Sequence, residues 1–300
     1  MGHDHASGSR RALAGALGLT SAVLVVEIAG ALWTGSLALA ADAGHMFADV
    51  GGLGLALFAS WIAARPPTPA KTYGYQRAEI LAALLNSLVL MALAAVILYE
   101  AYRRLAEPRA VPGGPLLAIG ALGLLANAVS AWLLRREAHD NLNVRAAYLE
   151  VLGDAFGSVG VLVAAVVIMA TGWTPIDSLV SVAIGVFIVT RTARLLFQAV
   201  NVLLEGTPPH LDVAEIEAAM CAVVGVRRVH DLHVWTLTSG REAMSAHVVV
   251  NDTGDSDRLL EELHHVLHAR FGVDHTTIQL EREPQAPLQI KARAGHRPGG

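Results

Sequence analysis

The sequence predicts a bundle of six membrane-spanning helices followed by a small water-soluble α+β domain, and three observations carry that expectation. Of 300 residues, 54% are hydrophobic and only 16% charged, with a mean hydropathy of +0.48, whereas soluble domains are about 25% charged. Six apolar runs, at about 12–34, 37–64, 79–102, 114–134, 144–171 and 176–196, each reach the length of roughly 20 residues that a helix needs to cross hydrocarbon. After residue 207 the long runs stop and short, periodic segments replace them.

The breaks between spans have a chemical cause. Arg65-Pro66-Pro67-Thr68-Pro69 closes the second run, Glu107-Pro108 and Pro112-Gly113-Gly114-Pro115 separate the third from the fourth, and Gly172-Trp173-Thr174-Pro175 separates the fifth from the sixth. The first run follows Ser9-Arg10-Arg11, a twin-arginine pattern, but it is longer than an export-signal core and more spans follow it. It is therefore read as a retained helix. Residues 1–9, with His3 and His5 among Gly and Ser, are expected to form a disordered arm, and 10–206 the transmembrane domain. A cytoplasmic N-terminus puts ten basic residues on the inner side, Arg191 and Arg194 among them, against Arg103, Arg104 and Arg109 outside, which favours both termini inside. The outer cluster is an exception, for which snorkelling at a helix end is the expected explanation.

Residues 207–284 read as helix, strand, strand, helix, strand: Asp212–Val224, Val229–Leu237, Glu242–Asn251, Asp255–Phe271 and Thr276–Glu281. From Pro284 the apolar periodicity ends, and 285–300 is expected to be a disordered tail. Residues 1–206 balance 13 basic against 13 acidic side chains, while 207–285 hold 6 and 13. An acidic soluble part argues against nucleic acid as a partner. The single cysteine, Cys221, excludes an intrachain disulfide and a cysteine-based metal cluster, so any metal chemistry must use His and carboxylates.

Ionisable side chains inside a span cost several kcal/mol unless they pair, face a cavity or bind something. Here they cluster: Asp42, His45 and Asp49 in the second span, Glu150 and Asp154 in the fifth. His45 and Asp49 are four apart, as are Glu150 and Asp154, so each pair lies on one helical face. Antiparallel spans would set His45 level with Asp154 and Asp49 level with Glu150, and the four could close around one divalent transition-metal cation. One imidazole and three carboxylates suit Zn²⁺ at about 2.0–2.2 Å per bond. Crowded carboxylates repel one another, so the empty site is expected to retain protons that an arriving cation expels. Gly51, Gly52 and Gly54, and Gly153 with Gly157, would let the helices approach closely. Glu27, Glu79, Asn86 and Asn127 are further polar groups in or near spans that could line a wet path or serve interhelical hydrogen bonds.

The run Gly35-Ser36-Leu37-Ala38-Leu39-Ala40-Ala41-Asp42-Ala43-Gly44-His45-Met46-Phe47-Ala48-Asp49 resembles the second-helix signature of the cation diffusion facilitator family, zinc-type metal/proton antiporters. Tyr73-Gly74-Tyr75-Gln76-Arg77-Ala78-Glu79, Val151-Leu152-Gly153-Asp154, Leu204-Glu205-Gly206-Thr207-Pro208 and His230-Asp231-Leu232-His233-Val234-Trp235 are similar to other family segments. The resemblance implies a ferredoxin-like cytoplasmic domain, a homodimer in the cell (inner or plasma) membrane, and export of metal from the cytoplasm in exchange for protons, with no organic cofactor. It maps a regulatory metal site onto His230, His247 and Glu281, with Gln279 at another ligand position. Strand parity agrees for His247, Gln279 and Glu281 but favours His233 over His230 unless the strand is bulged. Glu150 stands where zinc members usually carry His; a harder ligand leaves Cd²⁺, Co²⁺, Fe²⁺ or Mn²⁺ open beside Zn²⁺. Two other functions fit some of these residues: an intramembrane metal-dependent hydrolase, which would keep one coordination position for water, and a membrane metal sensor without flux.

Overall fold

The computed structural model describes residues 2–135, 142–238, 240–251 and 255–282. The tail expected to be disordered, 285–300, lies outside them. Two compact units divide the chain near residue 200.

The first unit holds six long helices: α1 (Gly2–Thr34), α2 (Leu37–Ala63), α3 (Ala78–Ala106), α4 (Gly113–Leu134), α5 (Leu142–Thr171) and α6 (Pro175–Leu203). In each, a segment of 20 to 29 residues is long and apolar enough to cross a membrane. α1 starts at Gly2, within the stretch expected to be a disordered arm; no proline or β-branched residue between Gly2 and Leu13 interrupts it. Large apolar side chains such as Leu32, Trp33, Phe47 and Leu57 are exposed, as lipid-facing residues are.

Helix α1 ends at Gly35, whose φ of 67° is the left-handed conformation glycine adopts at low cost. The next helix begins one residue on, and its start is tied down from α6. Ser36 caps α2 by accepting from the Leu39 N–H at 3.1 Å. Asp177, 2% exposed, accepts from the Ser36 hydroxyl at 2.5 Å and from the Leu37 N–H at 2.7 Å. A carboxylate at a helix N-terminus meets both free N–H donors and the positive end of the dipole. That bond fixes the axial position of α2.

The arginines that broke the charge-asymmetry rule also find partners. Glu100 pairs with Arg104 at 3.0 Å and with Arg103 and Arg109 at 3.8 Å. Arg104 Nη1 donates to the Gly35 carbonyl at 2.6 Å, closing the end of α1. An ion-pair cluster and a helix cap, and not snorkelling alone, account for this exception.

The second unit follows the order α7 (Val213–Cys221), β1 (Val226–Thr238), β2 (Arg241–Val250), α8 (Ser256–Phe271) and β3 (His275–Arg282). β2 is central, antiparallel to β1 and parallel to β3. This is the α+β, ferredoxin-like arrangement expected. Its core joins Ile216 and Met220 of α7, Val229 and Val234 of β1, Met244 and Val248 of β2, and Leu259, Leu263 and Leu267 of α8. The leucines recur every four residues, which places them on one helical face. Val229 and Val234 are five apart, so strict alternation would send them to opposite faces. Both are buried because β1 is bulged between His230 and His233, with Asp231 at φ 52°.

Replacing Asp177 by Ala removes two short, charge-assisted bonds and should cost roughly 2 kcal/mol. The expected result is a lower thermal midpoint of the detergent-solubilised protein; an unchanged midpoint would mean that α2 is anchored by other contacts.

Candidate metal centre

α2 and α5 meet in the interior of the bundle, and their polar faces converge. His45, Asp49, Glu150 and Asp154 each present one ligand atom, all within 4.8 Å of one another. His45 and Asp154 are each 5% exposed. The level matching expected of antiparallel helices extends one turn further, where the Ser158 hydroxyl lies 3.5 Å from Asp42. Close approach depends on particular glycines: a Cβ on Gly157 would collide with the Asp42 carboxylate, and one on Gly52 would lie 2.6 Å from the Asn86 amide. Gly51 and Gly54 face open space.

The hydrogen-bonding of this cluster is incomplete. Both ring nitrogens of His45, Asp49 Oδ2, Glu150 Oε1 and Asp154 Oδ1 are buried without a hydrogen-bond partner. His45 Nε2 lies 3.4 Å from Asp49 Oδ2, too far for a good hydrogen bond. Buried polar atoms are rarely left this way. A cation at the common point would satisfy all four residues at once.

A cavity of about 680 Å³ leads to this point. Asp49, Glu150 and Asp154 line it with Asn86, and its apolar wall includes Ala16, Leu53, Ala147 and Leu195. Those residues lie toward the N-terminal ends of α1 and α5 and the C-terminal ends of α2 and α6, which is one end of the bundle. Glu79 sits in the first turn of α3, outside this lining. Asp42 and Asn127 are buried one helical turn or more away, in a separate polar group with Glu27 and Ser158.

Arg191 of α6 also lines the cavity, and its guanidinium pairs with Glu150 Oε2. The charge count along the sequence had placed Arg191 among inner-side basic residues; in the structure it faces a ligand. Glu150 therefore offers one oxygen to the site and one to a side chain that never loses its charge. A basic residue near the end of a span reads as an anchor, so only spatial proximity identifies this role.

Comparison with known proteins decides the family. The cation efflux transmembrane domain matches residues 13–204, and the cytoplasmic domain of cation efflux proteins matches 208–283. The chain belongs to the cation efflux family. It is 45% identical to the metal cation efflux system protein CzcD of Cupriavidus metallidurans, over 94% of this chain and 90% of that protein. It is 42% identical to the zinc transporter ZitB of Escherichia coli, over 95% and 94%. The cadmium, cobalt and zinc/H(+)-K(+) antiporter of Bacillus subtilis is 36% identical over 94% and 93%. Among solved structures, the metal-bound C-terminal domain of CzcD from Cupriavidus metallidurans is 40% identical over 24% of this chain and 99% of that one, with a TM-score of 0.23. The protein is thus a multi-pass membrane transporter of metal cations, and the intramembrane hydrolase weighed on sequence grounds is set aside, because the family is made up of efflux transporters.

The C-terminal unit of this cation efflux protein carries a second ligand group. His230, His247 and Glu281 present ligand atoms within 4.8 Å of one another. His230 Nε2 and His247 Nδ1 are each 2.9 Å from a different oxygen of Glu281. The bulge at Asp231 turns both His230 and His233 away from the core, which resolves the parity conflict. His233 instead contacts Asp231 at 3.1 Å, and Gln279 donates to Glu281 at 2.9 Å. Asp231, which sequence reasoning passed over, also lies 3.9 Å from His247.

The hydrogen bond from His230 holds the Glu281 carboxyl below the ordinary glutamate range; loss of hydration opposes this, while Gln279 and the two imidazoles add to it. A carboxyl lowered in the folded state contributes stability above its unfolded value of about 4.3, and the contribution is lost as pH falls through the folded value.

Two outcomes follow for the cation efflux protein. The metal-free Glu281→Gln variant should be less stable than the parent near neutral pH, with the gap closing on acidification below the glutamate range; thermal unfolding across pH checks this, and a gap that widens in acid contradicts it. Arg191→Gln should release Glu150 to the ion and tighten divalent-cation binding about tenfold, roughly 1.4 kcal/mol. Equilibrium binding in detergent measures it, and weaker binding would show that the guanidinium supports the site instead of competing with it.

Proposed function

We propose that this protein exports Zn²⁺ from the cytoplasm in exchange for protons, with His45, Asp49, Glu150 and Asp154 holding the ion during passage. The observation that carries the reading is the convergence of four residues with orphaned polar atoms on one point in the hydrocarbon-embedded bundle. Nitrogen and oxygen donors at that spacing suit a borderline divalent cation. The zinc named in ZitB, and the zinc, cadmium, cobalt and proton named in the Bacillus subtilis relative, support the same substrate class and exchange. A harder donor set than one with two imidazoles keeps Cd²⁺, Co²⁺, Fe²⁺ and Mn²⁺ within range.

With both termini cytoplasmic, the cavity faces the cytoplasm of a cell in whose plasma membrane the protein sits. Substrate enters past Asn86, and the carboxylates exchange protons for metal because both compete for the same oxygens. Arg191 keeps one positive charge beside Glu150 whether or not the ion is present, which disfavours overly tight retention. In the C-terminal unit, His230, His247 and Glu281 form a three-residue donor set that suits a regulatory Zn²⁺. The family's cytoplasmic domain supports assembly as a homodimer in lipid.

The decisive assay is metal flux in proteoliposomes across Zn²⁺, Cd²⁺, Co²⁺, Fe²⁺ and Mn²⁺, with and without a pH gradient. Flux separates a transporter from a sensor that only binds. Asp154→Ala should lower flux on the order of 100-fold or more, since a lost ligand exceeds the effect of an outer-shell partner. Glu150→His combined with Arg191→Gln, which avoids stranding the guanidinium, should retain flux and narrow the metal range toward Zn²⁺. Wild-type flux in Asp154→Ala vesicles would overturn the assignment.

A further inference from the structure

One helical turn from the metal centre lies a second polar group that neither the family comparison nor the four-ligand site explains. Glu27 of α1 is 1% exposed, and both its carboxylate oxygens are buried without a hydrogen-bond partner. Asp42 of α2 is 2% exposed, with only a long 3.5 Å contact from the Ser158 hydroxyl. Asn127 of α4 donates to that same hydroxyl at 3.3 Å, and its own carbonyl oxygen Oδ1 is buried and unpartnered. These residues come from four different helices. Glu27 packs against the bare face of Gly123, where Ser158 Oγ also lies, and Asp42 against that of Gly157. The glycines are what allow two carboxylates into this interior.

Two carboxylates in hydrocarbon with so few donors cannot both persist as anions; such groups neutralise or bind a cation. The charged groups facing them add no positive charge. Glu27 feels Asp154 and Asp42 feels Glu27, while α4 presents the neutral Gly123, Asn127 and Ser130. All the donors are oxygen, which is a poor match to Zn²⁺ beside a site containing imidazole. Glycine faces pack directly onto both carboxylates.

We propose that Glu27 and Asp42, with Asn127 and Ser158, form a second intramembrane site that binds a further exchanged proton, in addition to those displaced from the metal ligands. The proton adds to a Glu27 oxygen, converting carboxylate to carboxylic acid, and the new O–H donates within the group, to the Asp42 carboxylate or the free Asn127 Oδ1. Asp42 lies three residues from His45 and Ser158 four from Asp154, so each shares a helical face with a metal ligand one turn of about 5.4 Å away. Gain or loss of charge there is felt at the divalent ion through a low-dielectric interior. The inference rests on the antiport reading for its role in transport, but proton binding itself can be tested without it.

The test uses the full chain in proteoliposomes, with Glu27→Gln and Asp42→Asn as variants and three readouts. Zinc–zinc exchange at equal pH reports on the divalent site alone. Acceleration of zinc flux by a pH gradient reports on coupling. The infrared carbonyl band of a buried carboxylic acid, followed against pH, reports on the proton. Glu27→Gln should still exchange zinc, lose about tenfold or more of the acceleration by the pH gradient, and lack a carbonyl band that the parent shows. A pH-gradient response equal to the parent's, or a band unaltered in both variants, overturns the proposal. So does removal of the band by K⁺ at constant pH, which would assign the site to an alkali cation. If the parent exchanges zinc but ignores the pH gradient, antiport fails, and the band alone decides whether the second site holds a proton. If Glu27→Gln does not fold, Asp42→Asn gives the same three readouts.

Discussion

Uncompensated charge in hydrocarbon is the constraint from which the rest of this structure follows. A soluble protein can leave a carboxylate at its surface at little cost, but a bilayer offers no water to take that place, and each buried ionisable group must find a partner, a proton or an ion. In this bundle some groups are fully answered: Asp177 by the N-terminus of α2, Glu100 by three arginines. The remainder are not. His45, Asp49, Glu150 and Asp154 keep orphaned atoms and bring their ligand atoms within 4.8 Å of one another, and that incompleteness is the ground for the proposal that an ion passes there.

The scaffold around the site serves to hold that incompleteness in place. The Asp177 clamp sets where α2 begins, hence the height of His45 and Asp49. Gly157 lets α5 come close to α2 at Asp42. Arg191 adds a fixed positive charge on the α6 side. Three carboxylates and one guanidinium leave a net charge of about minus two when all are ionised, the complement of a single divalent cation. In the proposed transport site, four ligands for the cation and an arginine that pairs with one of them would allow both loading and release, as transport demands.

What could be read in the sequence was what depends on spacing along one helix or strand. The two i, i+4 pairs, the six spans and the helix expected at Asp255–Phe271 follow from local periodicity, and the structure has the spans, that helix and the paired residues together. Features that depend on contacts between distant segments were not legible. Arg191 read as an inner-side anchor near the end of its span because hydropathy does not show which carboxylate a neighbouring helix presents. Asp177 lies 141 residues from the Ser36 that it holds. The bulge at Asp231 reverses strand parity without an inserted glycine or proline to announce it, so the alternation rule favoured His233 while the family resemblance gave His230, the histidine found beside Glu281.

The ion's own coordination shell tests the central claim most directly. X-ray absorption at the zinc edge of the full chain, with His230 and His247 replaced by Ala to remove the C-terminal donors, should report a single imidazole and otherwise oxygen ligands at about 2.0–2.2 Å, with one oxygen lost in Asp154→Ala. A shell with two or more imidazoles, or one that does not change in Asp154→Ala, would contradict a divalent ion held between α2 and α5.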